Sequence, residues 1–84
     1  MVKDEIWSVS IGRVRAFFRE QPDVTAESEN RFTLGSCRIC LTELEPGGVG
    51  IWAVSRSRVQ MEGEDEDVEK IHRRFFLRFL SAGG

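Results

Sequence analysis

The sequence predicts an α+β fold: an antiparallel meander sheet of three to five strands, flanked by an N-terminal and a C-terminal helix. Three observations carry that prediction. Apolar residues recur at helical steps near both ends, they alternate through the middle, and turn-forming clusters separate the alternating segments. The 84 residues are expected to form one small domain, residues 1–84. A chain of that length buries roughly 60–65% of its unfolded surface, enough for a modest core but not for a deep cavity between domains.

Residues 4–20 read as a helix, because Trp7, Ile11, Val14 and Phe18 follow one another by four, three and four, with Phe17 beside them. Asp4 is placed to cap its start and Pro22 to stop it. A competing reading stays open. Trp7, Val9 and Ile11 also alternate, and Gly12 weakens a helix interior, so a short strand reaching residue 11 is the alternative.

A hairpin of residues 23–27 and 31–35 follows, turning at Ser28-Glu29-Asn30, where Asn tolerates a positive φ. Gly35-Ser36 breaks the alternation as a turn or bulge would. The next hairpin joins SCRICLTEL to VGIWAVS through Glu45-Pro46-Gly47-Gly48. With those four residues as the loop, Leu44 faces Val49, Leu41 faces Trp52 and Ile39 faces Val54. One face then carries Cys37, Ile39, Leu41, Trp52 and Val54; the other carries Cys40, Leu44, Val49, Ile51 and Ala53. Both are apolar, so each needs a cover. Val59 and Met61 resume this strand after Ser55–Arg58 or form a further one.

The last helix is expected over residues 64–81, with Val68, Ile71, Phe75 and Phe79 as its buried stripe and Gly83-Gly84 as its end. Its acidic start and arginine-rich finish suit the helix dipole, and Glu66–Lys70 and Glu69–Arg73 have the spacing of favourable pairs.

Chemistry is sparse. Cys37-Arg38-Ile39-Cys40 has the spacing of a redox pair, but the alternation places it inside a strand. Residues three apart there point to opposite faces, about 10 Å apart along the chain, too far for a disulfide. Thiol-based redox chemistry at Cys37 and Cys40 is therefore the third functional reading. Two Cys and one His fall short of a structural zinc set, and no metal or cofactor is expected. His72, at the edge of the aromatic stripe, reads as a boundary residue bonded to a neighbour.

The net charge of −2 gives no global attraction to nucleic acid. Ten of the twelve cationic residues are Arg, the better shape for carboxylate and phosphate. Arg13, Arg15 and Arg19 on the first helix, with Arg56 and Arg58 after Trp52, form a candidate site for phosphate, nucleotide or nucleic acid. The leading expectation is a non-enzymatic protein-interaction module. It self-associates as a homodimer, or meets a protein partner, through the sheet face of Leu44, Val49, Ile51 and Ala53. The apolar runs are too short to span a membrane, and the N-terminus lacks a signal-peptide layout, which points to the cytoplasm.

Overall fold

The computed structural model describes residues 1–48 and 50–80; Val49 and the terminal Gly83-Gly84 lie outside the described residues. Among the described residues five strands and two helices follow one another as β1 (Val2–Trp7), α1 (Ile11–Glu20), β2 (Thr25–Ser28), β3 (Arg31–Leu34), β4 (Cys37–Gly47), β5 (Val54–Glu62) and α2 (Asp65–Phe79). A short 3-10 turn, Gly50–Trp52, lies between β4 and β5. The strands form one antiparallel sheet in the order β1-β5-β4-β3-β2. The expected α+β class and the meander are present, and β1 adds an edge by pairing with the last strand.

The N-terminal segment divides between the two readings: a strand replaces the start of the expected helix but ends at Trp7, short of residue 11, and the helix holds from Ile11 to Glu20. Residues 2–7 pair with β5 from Val2–Glu62 to Trp7–Ser57, so Lys3, Glu5 and Trp7 face the helices while Val2, Asp4 and Ile6 face away. The chain breaks at Ser8–Ser10, and the helix begins at Ile11. Asp4 therefore caps nothing and instead holds Arg58. Ser10 occupies the N-cap position without a side-chain cap bond. Gly12 falls in the first turn, where it is exposed and costs little.

Both helices lie on one side of the sheet. Ile11, Val14, Phe17 and Phe18 of α1 and Val68, Ile71, Phe75 and Phe79 of α2 are all buried. They meet Phe32, Leu34, Cys37, Ile39, Leu41, Val59 and Met61, which occupy the facing positions of β3, β4 and β5. Phe18 is the centre, stacked on Phe32 at 5.4 Å and on Phe75 at 5.7 Å. Each such ring removes roughly 150–250 Å² from water, so the aromatics dominate the apolar driving force. Among the described residues one polar group enters this core: the Ser57 hydroxyl is fully buried and donates to the Val9 carbonyl at 2.6 Å.

Glycine is needed in the β3–β4 and β5–α2 connections. Gly35 sits at φ +56 in the β3–β4 turn. Gly63 passes so close to β4 that an added Cβ would lie 2.7 Å from the Cys37 Cα. Between them, Ser36 joins the turn to the start of α2. Its backbone N–H and hydroxyl donate to Asp67 at 2.8 and 2.7 Å, and it accepts from the Glu64 N–H at 2.9 Å. Asn30 does not use a positive φ as expected. Its carbonyl accepts from Leu41 N–H, and its side chain accepts from Arg15 Nε, both at 2.9 Å.

The second hairpin departs most from expectation. Leu41 pairs with Val59, Ile39 with Met61 and Leu44 with Arg56, not with residues of the VGIWAVS segment. The strand runs through Glu45-Pro46 to Gly47, with a register irregularity between Leu44 and Gly47. Pro46 lacks an N–H, and such a break in the ladder is where a strand accommodates proline. The turn is made by the later glycines, Gly48 at φ +100 and Gly50 at φ +58. Ser55–Arg58 thus belongs to a continuous β5. Its inward residues are Ser57, Val59 and Met61, and its outward ones are Arg56, Arg58, Gln60 and Glu62. That alternation covers one face and leaves the other polar. The doubly apolar hairpin does not exist.

Candidate functional site

Two surfaces on the uncovered parts of the sheet are built by this register. The first is the far end of the β4–β5 hairpin, beyond the reach of both helices. Ile51 is 91% and Trp52 77% exposed, with Val54 and Ala53 also on the surface. Leu44 is half-buried nearer the body. The expected interface residues Leu44, Ile51 and Ala53 therefore do not share a strand face. Ile51 lies in the 3-10 turn, Ala53 follows it, and Leu44 sits on β4, while Val49 is outside the described residues. From Gly47 to Val54 the chain carries no charge.

The second surface is the open sheet face. Arg31, Arg38, Arg56 and Arg58 project there, at positions alternating with buried Phe32, Ile39, Ser57 and Val59. Arg58 is held by Asp4 through two bonds of 2.9 and 2.6 Å, a bidentate pair that draws the Asp4 carboxyl below its ordinary range. Arg58 thus lies on the face turned away from Arg13, Arg15 and Arg19, and Arg56 lines a depression with Ile11, Leu44 and Pro46 that none of those three arginines enters. The expected single anion site is split in two. Arg15 is bonded to Asn30 and paired with Glu29 at 3.3 Å, and Arg13 lies over the Phe79 ring at 5.6 Å. Arg19 is exposed on α1.

The remaining candidates are engaged structurally. Cys37 points into the core, where burial pushes its thiol up. Cys40 is on the opposite side, lining a depression of the open face. Joining them would require unwinding β4. His72 Nε2 meets Glu5 Oε1 at 2.9 Å, and Trp7 Nε1 donates to the same oxygen at 3.0 Å. Burial pushes the Glu5 carboxyl up, but the His72 and Trp7 hydrogen bonds outweigh it, so it sits below its ordinary value. Trp7 also packs edge-on against Phe75 and Phe76, fixing β1 to α2.

The expected pairs Glu66–Lys70 and Glu69–Arg73 do not form among the described residues: Lys70 reaches Asp23 instead, at 3.6 Å, beside Arg74 at 2.7 Å, and Arg78 reaches Glu20 at 3.1 Å. These bonds tie the two helices together at their shared end. The Arg74 hydrogen bond leads in drawing Asp23 below its ordinary range. Glu5, Arg31 and Arg38 were not singled out from the sequence. The alternation that separates Cys37 from Cys40 already puts Arg38 on the Cys40 face, whereas Arg31 joins it only through the β3–β4 pairing.

Among the described residues, no helix is long and apolar enough to cross a membrane. No family model matches the chain, and no curated protein matches it significantly.

Proposed function

We propose that this chain is a non-enzymatic interaction module that works in the cytoplasm and pairs with a second copy of itself through the far end of the β4–β5 hairpin. The observation that supports this reading is the exposure of Trp52 and Ile51 side by side, on a segment with no charge from Gly47 to Val54. Trp is the residue type most enriched among binding hot spots, and solvent gains nothing from one held in water. An uncharged apolar surface can meet its own image across a two-fold axis without like-charge repulsion, which a charged surface cannot. The tip is small, so its dimer falls at the low end of interface sizes, below about 1,200 Å² in total, and exchanges in the micromolar range. His72 and Cys37, the groups of most catalytic interest, are occupied in holding β1, β4 and α2 together, which favours binding over catalysis.

Sedimentation equilibrium across the micromolar range tests the reading. The wild type is expected to move from monomer to dimer with concentration, while a variant carrying Ile51→Ser and Trp52→Ala stays monomeric. A wild type that is monomeric throughout, or a variant that dimerises equally well, would remove this interface.

A further inference from the structure

Across the open face, four charged residues stand in the order Glu27, Arg31, Arg38, Glu62, one from each of β2, β3, β4 and β5. They line one depression of about 430 Å³, floored by Cys40 and Gln60. The register explains the hollow. Arg31 pairs with Cys40, and Cys40 with Gln60, while Arg38 is two residues before Cys40 on the same strand. The two arginines are therefore diagonal neighbours about 7–8 Å apart, with the short Cys40 side chain leaving space between them. Arg38 stands directly opposite Glu62.

Four guanidiniums elsewhere find carboxylates, Arg15 with Glu29, Arg58 with Asp4, Arg74 with Asp23 and Arg78 with Glu20, while Arg13, Arg19, Arg56 and Arg73 stand singly and share no hollow with a second arginine that lacks a partner. Among the described residues, neither Arg31 nor Arg38 has an ion-pair partner within 4.0 Å, although two carboxylates line the same hollow. Two cations lie inside and two anions outside. A simple anion would be drawn to the centre and opposed by the flanks. A molecule carrying both signs satisfies all four groups, and the volume falls within the range of small-molecule sites.

We infer that this depression binds a small zwitterion. Its oxyanion is gripped between Arg31 and Arg38, and its ammonium, a few atoms away, is taken by Glu62 or Glu27. Arg provides the forked donors that a phosphate or carboxylate accepts in pairs. The same chemistry is presented by a free small molecule or by a zwitterionic lipid headgroup. The site lies over the body of the sheet and is independent of the proposed dimer contact at the hairpin tip.

Calorimetric titration of the full chain with phosphoethanolamine, inorganic phosphate and ethanolamine tests the assignment. Phosphoethanolamine is expected to bind about tenfold or more tightly than phosphate, with ethanolamine weaker still. Replacing both arginines, Arg31→Gln with Arg38→Gln, abolishes binding. Replacing both acids, Glu27→Gln with Glu62→Gln, reduces phosphoethanolamine to the level of phosphate. All four side chains are exposed, so an unchanged thermal midpoint verifies that each variant folds. Co-sedimentation with phosphatidylethanolamine vesicles separates the two sources: capture by vesicles without binding of the soluble probe, released by the arginine substitutions, assigns the headgroup. No binding in either arm, equal affinity for phosphate and phosphoethanolamine, or variants that bind like the wild type would overturn the inference.

Discussion

The two ends of the β4–β5 hairpin share the same strands but not the same physics. At the base, Ile39 faces Met61 and Leu41 faces Val59, all at most 2% exposed beneath the two helices. At the far end, Ile51 and Trp52 are almost entirely in solvent. The difference lies in what reaches them. The ten residues of α1 extend about 15 Å, and α2 packs over the base with its aromatic stripe, so neither helix covers the tip. Hydrophobicity alone does not decide burial; a residue is buried only where a second element arrives to cover it.

The comparison breaks most readily at the base. Phe75 stacks on Phe18 and touches Trp7, Phe17 and Phe79, so Phe75→Ala opens a cavity at the meeting point of both helices. A loss of about 3–5 kcal/mol is expected in urea unfolding, enough to leave so small a protein largely unfolded. A smaller loss follows from Ser57→Ala. It strands the Val9 carbonyl in a buried position and is expected to cost about 1–3 kcal/mol by the same measurement. Full stability in either variant would mean that the helices do not clasp the base as described.

Acid sharpens the contrast further. Glu5 and Asp23 have folded pKa values below their ordinary 4.5 and 3.8. Their contribution is complete above those ordinary values and is lost as pH falls through the lowered folded ones. The urea midpoint should therefore hold steady from neutrality and then drop below about pH 4.5. Glu5→Gln should flatten part of that drop while changing neutral-pH stability by about 1 kcal/mol or less, since the carboxylate is partly exposed. A Glu5→Gln profile superimposable on the wild type would show that the Glu5–His72 contact contributes nothing. The least effect is expected at the tip. Trp52→Ala should leave monomer stability within about 0.5 kcal/mol, because the side chain is 77% exposed.

What was legible in the sequence divides along the same line. The α2 stripe of Val68, Ile71, Phe75 and Phe79 was read correctly because helical spacing depends only on near neighbours, and so was the β2–β3 hairpin. The opposed placement of Cys37 and Cys40 followed from strand alternation alone. Residues 2–7 were harder. Trp7 fits a helical stripe through Ile11 as well as an edge strand, and pairing with Ser57 of β5, fifty residues away, decides between them. The β4–β5 register failed because Pro46-Gly47-Gly48 looks like a complete turn. The actual turn lies slightly later, at Gly48 and Gly50, where it lets Val59 and Met61 reach the core. That single shift moved the apolar surface from a sheet face to a hairpin tip. The placing of Arg31 beside Cys40 is a separate matter, set by the β3–β4 pairing rather than by the spacing of near neighbours.

The most direct test of the self-association reading uses Trp52 as its own reporter. In a Trp7→Phe variant Trp52 is the sole tryptophan, and its emission can be followed while the protein is diluted through the micromolar range. Burial by a second copy predicts blue-shifted emission at high concentration that moves to the red on dilution, with a midpoint matching the sedimentation data. Emission characteristic of water at every concentration would contradict it.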